Sequence, residues 1–187
     1  MPTSSPDPVR QVRLNHIRSF SRLLAWSCGP LAILLTAGLL LFWFGASTGS
    51  IAAGAQIPAE WLADLGIGRR EAGFAVSFIP LACLIAALLA ARRCFRMFAA
   101  GEFFSREAAN GLKGFAVGLL ASALLKPVSG AALSVLLSLD APAGQHRLTL
   151  GIDSDTILMI LGAGIVSVIA WVLSEASALA EENAAFV

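Results

Sequence analysis

Charge is what this sequence has least of. Asp, Glu, Lys and Arg make up only 13% of its 187 residues, against 57% hydrophobic residues. That is about half the charged share of an ordinary soluble domain. With a mean hydropathy of +0.79, the chain belongs to the membrane class on composition alone. The net charge of +1 lacks the concentrated basic footprint of a nucleic-acid binder. Cysteine is scarce too: Cys28, Cys83 and Cys94 form no CxxC pair, so neither a disulfide framework nor a zinc site is indicated. They read as small apolar packing residues. The two histidines, His16 and His146, are expected on opposite sides of the membrane, where they cannot share a metal or a proton relay. No HExxH or CxxC string occurs, which excludes the zincin and quinone-linked thiol-oxidoreductase readings. The expectation is a protein with no catalytic site and no cofactor.

Long apolar runs are what the chain has in abundance. Segments 23–46, 73–91 and 156–173 carry no charge, and 114–139 carries a single one, Lys126. About 20 apolar residues cross the ~30 Å hydrocarbon layer as a helix. Period-two alternation is absent, and isolated strands would leave backbone groups unpaired in lipid. The predicted fold is all-α, a polytopic four-helix transmembrane bundle. It comprises a basic tail (1–22), a membrane domain (23–174) and an acidic tail (175–187). Arg10, Arg13, Arg18 and Arg22 precede the first span, and Arg92, Arg93, Arg96, Arg106 and Lys113 lie between the second and third. Only Arg69, Arg70 and Arg147 fall in the other two connections. Nine basic residues against three predict an N-in/C-in topology by the positive-inside rule. The first apolar run is well beyond the 7–15 residues of a signal peptide, and Ala53-Gly54-Ala55 is a weak cleavage-like string, so a retained anchor is expected. In the outer loops, 58–65 reads as a short interfacial helix started by Pro58 and stopped by Gly66, with Trp61 and Leu62 on the membrane surface. Segment 140–155 is polar and turn-rich.

Small residues at four-residue spacing favour close helix contact in lipid. The third span offers Gly114, Gly118, Ser122, Lys126 and Gly130. Each step of four overshoots a full turn by about 40°, so Ser122, Lys126 and Gly130 keep within an arc of ~80°. Lys126 is therefore expected to face neighbouring helices. Ala82, Ala86 and Ala90 continue the style in the second span, and Ala163 with Ser167 in the fourth. Lys126 lies near mid-bilayer, where a charge costs ~2.5–3.5 kcal/mol and marks a functional candidate. Pro127 removes a backbone donor beside it, so Ser122, Lys126, Pro127 and Gly130 form a candidate intramembrane polar site. No acid is expected at that depth, because Glu71, Asp140, Asp153 and Asp155 fall at the outer surface. The alternatives for the lysine are snorkelling outward or a neutral state with a depressed pKa. Pro30 and Pro80 also fall inside spans, the latter where it is expected to bend its helix.

The middle connection interleaves basic and aromatic residues through Arg92, Arg93, Arg96 and Phe98. Gly101 marks a helix stop, and Ser105 an N-cap with Glu107 in the following turn. Phe103 and Phe104 are expected to fold back on the bundle. The stretch Phe98-Ala99-Ala100-Gly101-Glu102-Phe103-Phe104-Ser105, followed by Glu107, Asn110 and Leu112, resembles the central signature of the bacterial membrane-protein family known as DUF2975, a domain of unknown function. The ending, Leu179-Ala180-Glu181-Glu182-Asn183 with Phe186-Val187, is similar to that family's closing acidic segment. The resemblance runs from about Arg18 onward with four spans in order. Ala176-Ser177 stands where members often show a glycine, and Lys126 is no part of the pattern. The resemblance implies no established activity. It does imply a gene neighbourhood that often includes a small helix-turn-helix regulator of the Cro/C1 type, and hence a membrane partner that sequesters or signals to it.

Three function classes remain to be weighed. Glu181 and Glu182 are adjacent, about 100° apart on a helix, and make a poor acid/base pair. A cation-coupled transporter needs an intramembrane acid, and none is expected, which leaves Lys126, suited to an anion. The favoured expectation is a non-enzymatic regulatory or interaction protein whose partners are the bilayer and either such a regulator or another membrane subunit, with no direct nucleic-acid contact. Its candidate cytoplasmic interaction residues are Arg92, Arg93, Arg96, Gly101, Phe103, Phe104, Ser105, Glu181 and Glu182.

Overall fold

The computed structural model describes residues 8–54, 66–138, 151 and 153–185, with side chains at all of these except 8–10, 13, 54 and 180–185. Among the described residues five helices follow one another: α1 (Pro8–Gly45), α2 (Thr48–Gly54), α3 (Ile67–Ala100), α4 (Arg106–Leu137) and α5 (Ser154–Ala185). The helix expected over 58–65, with Trp61 and Leu62, lies outside the described residues, as does most of segment 140–155. Among the described residues four helices are long and apolar enough to cross a membrane: Leu14–Gly45, Ile67–Ala100, Arg106–Leu137 and Ser154–Leu179. The protein is a multi-pass membrane protein with an all-α, four-helix architecture.

The helices outrun their apolar segments. With 38 residues, α1 is ~57 Å long at 1.5 Å per residue, nearly twice the ~30 Å hydrocarbon core. Residues 9–28 contain neither Gly nor Pro, so nothing stops the helix where the arginines begin. Part of the expected basic tail is therefore a helical extension. Pro30, Pro80 and Pro127 all sit inside unbroken helices.

The long helices pack in chain order, α1 on α3, α3 on α4 and α4 on α5, with no comparable contact between α1 and α5 among the described residues. The result is a bundle open on one side. Small residues build its seams. A Cβ on Gly111 would come within 3.0 Å of Cys94 and Ala90 backbone atoms, and one on Gly118 would crowd Ala87. The α3 and α4 backbones thus meet almost directly, the arrangement that maximises dispersion contact where lipid tails remove the hydrophobic drive. On α5 the buried residues are Thr156, Ala163, Ala170 and Ser177, a seven-residue repeat. Ala109, Ala116 and Ala123 repeat it on α4. That period belongs to helices crossing at a shallow left-handed angle. Span hydroxyls mostly bond their own helix: Thr36 donates to the Ala32 carbonyl at 2.9 Å, Ser134 to Ala131 at 2.8 Å and Ser167 to Ala163 at 2.8 Å.

One end of the bundle is locked by Trp43, only 2% exposed. Its ring fills the space a Cβ on Gly73 would occupy, and its indole N–H donates to Ser77 Oγ at 3.1 Å. Arg70 reaches across to the Trp43 and Ala46 carbonyls, at 2.8 and 3.1 Å. These acceptors lie in and just past the last turn of α1, where the helix offers unbonded carbonyls and a partial negative charge. Ile51 and Ala52 of α2 pack with Trp43 and Leu137 to close this α2 end. The opposite end, where α3 turns into α4, is the hairpin end.

Candidate functional site

The hairpin end is built by three local devices. Gly101 ends α3 in the left-handed region, φ +93°. Its N–H bonds the Phe98 carbonyl at 3.1 Å, and the Glu102 N–H bonds Met97 at 3.0 Å. This pair of bonds is the Schellman ending, which satisfies two orphan carbonyls and favours glycine. The Arg18 guanidinium of α1 lies where a side chain on Gly101 would stand, so the turn is also the seat of the α1 extension. Ser105 then caps α4: its Oγ accepts the Ala108 N–H at 3.2 Å and donates to the Glu102 carbonyl at 3.3 Å. Glu107 stands in the first turn, favourable to the positive helix end.

Only half of the expected aromatic fold-back occurs. Phe103 packs on Phe98 with ring centroids 5.9 Å apart, whereas Phe104 is 62% exposed. With Phe103 turned inward over the end of α3, its neighbour is left facing outward. Arg92, Arg93 and Arg96 are exposed on the same end. The α5 helix continues through Glu181 and Glu182, whose side chains lie outside the described residues.

The intramembrane candidates do not gather into one pocket. Ser122 is buried, Gly130 is exposed, and Lys126 and Pro127 are half-buried. The small-residue series drifts as its 40° step requires: Gly114 and Gly118 face Ala90 and Ala87 of α3, and Lys126 faces α5. There the expectation of a lysine without an acid is overturned. Lys126 Nζ donates to Asp155 Oδ2 at 2.6 Å, and Asp153 Oδ2 stands 4.0 Å away. The reason is a stagger between helices. Since Gly118 lies against Ala87, antiparallel counting sets Lys126 opposite residue 79, ~12 Å from the level of Glu71 and ~20 Å from that of Arg92. A cleft of about 380 Å³ between α4 and α5 has Asn110, Lys113 and Val117 facing Ser167, Trp171 and Ser174. This register starts α5 ~10 Å short of the end of α4, so its first acidic residues stand within reach of Lys126. The pair is not sealed: 42% of the Lys126 side chain and 67% of the Asp155 side chain are exposed.

Sequence reasoning missed that pair and the α4–α5 cleft, because neither follows from any single span. The apolar run 156–173 was legible, but not the helix that extends it to Ala185 nor the level at which it docks on α4.

No curated protein and no solved structure matches the chain. Residues 40–187 match the family model described as "Protein of unknown function (DUF2975)". The match covers most of the chain, including α3, the Gly101 turn, the Ser105 cap and α5, and the chain therefore belongs to the DUF2975 family.

Proposed function

We propose that the protein is a non-enzymatic membrane partner of a cytoplasmic regulatory protein, held N-in/C-in in the bacterial cytoplasmic membrane. The observation that carries this reading is the asymmetry of its two ends. At the α2 end the helices stop close to the apolar layer and are locked by Trp43 and Arg70. At the hairpin end, α1 runs on past Arg18 to Pro8, and α5 runs on past Leu179 to Ala185. Between them the α3–α4 turn exposes Phe104, with Arg106 two residues on. A large exposed aromatic on an ordered turn, rimmed by charge, is the composition of an interaction hot spot.

The partner that fits is a small helix-turn-helix regulator. Its basic DNA-binding face would meet the acidic α5 extension at Glu175, Glu181 and Glu182 in competition with DNA. Co-purification of the neighbouring regulator with detergent-solubilised protein tests this. Wild type retains it; Phe104→Asp and a form truncated after Leu179 each lose it. Undiminished retention by both variants overturns the reading.

The Lys126–Asp155 pair favours a second reading, a small transporter or channel centred on Lys126. Anion flux into proteoliposomes that disappears in Lys126→Met is its expected outcome, and equal flux in the variant removes it.

A further inference from the structure

Two pockets follow one another along the same seam of α1 and α3 and make a cleft of two characters. Nearest the hairpin it is cationic, a space of about 260 Å³ lined by Arg22, Trp26, Arg92 and Arg96. One turn further in it becomes apolar, a groove of about 550 Å³ lined by Gly29, Ala32, Thr36, Leu40, Ile85 and Leu89. These positions advance by three or four residues on both helices, so they lie on one face of each. The single hydroxyl in the groove is spent on its own helix, since Thr36 donates to the Ala32 carbonyl at 2.9 Å.

Charge and length say what this cleft accepts. Among the described residues none of the three arginines has a carboxylate partner, and no acidic residue lines the cleft. Three guanidiniums offer planar forks matched to phosphate oxygens, and nothing stands ready to receive an ammonium group. Trp26, 76% exposed, sits beside them as an interfacial tryptophan would. From Gly29 to Leu40 the groove runs ~16 Å, about one leaflet of a ~30 Å hydrocarbon layer.

We propose that the α1–α3 cleft is a binding site for a single phospholipid of net negative headgroup charge. Its phosphate rests on Arg22, Arg92 and Arg96, and one acyl chain lies along the groove toward Leu40. The site is separate from the Phe104 surface, and its occupancy does not depend on any protein partner.

The test is retention of lipid by the full chain purified from nanodiscs holding equal amounts of phosphatidylglycerol and phosphatidylcholine, read by native mass spectrometry. Wild type retains phosphatidylglycerol in preference. Arg22→Gln and Arg96→Gln each lower that preference about fivefold, the effect of one interfacial cation worth ~1 kcal/mol. Gly29→Phe lowers retention with every arginine in place: nothing lies within 4 Å of a Cβ at Gly29, so the ring enters the groove without disturbing the helices. Lys113→Gln, which removes one charge at the same end but on α4, leaves retention unchanged. Three outcomes overturn the proposal: no lipid preference in wild type, equal loss in Lys113→Gln, or full retention in Gly29→Phe. The last would mean that the arginines hold a phosphate group alone.

Discussion

Breaking the Lys126–Asp155 pair from one side should cost more than removing it whole. A lone lysine or aspartate at mid-bilayer costs ~2.5–3.5 kcal/mol on insertion scales, and the penalty falls toward ~0–1 kcal/mol near the interface. Lys126 lies ~12 Å below the level of Glu71, and both side chains are partly open, which places the cost of one orphaned partner at ~1.5–3 kcal/mol. Lys126→Met leaves Asp155 with no basic partner from α4, and Asp155→Asn leaves Lys126 with only Asp153, at 4.0 Å. The double variant leaves no such orphan at these two positions, and replacing an ion pair by neutral groups is often close to neutral. The expected double-mutant cycle therefore gives two destabilised single variants, a double variant within ~1 kcal/mol of wild type, and a coupling energy of ~2–4 kcal/mol. Reversible unfolding of the reconstituted protein in mixed micelles, followed by far-ultraviolet circular dichroism, measures it. Strict additivity, with the double variant losing the sum of the singles, would refute the claim that the two charges hold one another at depth.

Three further outcomes follow from the packing. Gly73→Leu drives a side chain into the Trp43 ring and should lower stability by ~2–3 kcal/mol through overpacking, whereas Gly130→Leu, with nothing within 4 Å of its Cβ, should leave the thermal midpoint in detergent nearly unchanged. Gly101→Ala forces an L side chain into φ +93° against Arg18 and should cost ~1–2 kcal/mol, with Ser105→Ala costing ~1 kcal/mol through the lost cap; protease cleavage of the α3–α4 turn should rise in both. Reporter fusions after residues 7, 104 and 185 should all report the cytoplasm, and a split between 104 and 185 would contradict the proposed topology.

The number of spans and the turn between α3 and α4 were legible because each rests on local chemistry. Apolar length decides a span, Gly101 decides a left-handed stop, and Ser105 with Glu107 decides a helix start. Contacts between helices were legible only in part. The four-residue series correctly put Gly114, Gly118 and Ser122 in the interior, but Ala86 is exposed and the buried face of α3 runs through Ala87, Ala91 and Cys94. Alanine and glycine fill every face of these spans, so small size alone marks no side. The seven-residue repeats, Thr156 to Ser177 and Ala109 to Ala123, carried the better signal. The partner of Lys126 was not legible, because counting apolar residues assumes that all spans begin at one plane.

That stagger has a consequence for how the fold is specified. Most of the surface of the four long helices faces outward, including Leu34, Leu41, Val168 and Trp171, and such side chains gain little by exchanging lipid for protein. Sliding α5 along α4 by one turn would keep apolar residues against lipid at almost no cost. It would, however, break the seven-residue register of Ala163 and Ala170 and carry Asp155 about 5 Å from its place beside Lys126. At the other seam, sliding α1 along α3 would lift Trp43 from Gly73 and Arg18 from Gly101. Each outer helix of the open bundle is thus held in register by small-residue contact along its length and by at least one polar or charged contact fixed in depth. In a solvent that rewards no particular apolar pairing, those few depth-fixed contacts are what make one alignment preferred over its neighbours.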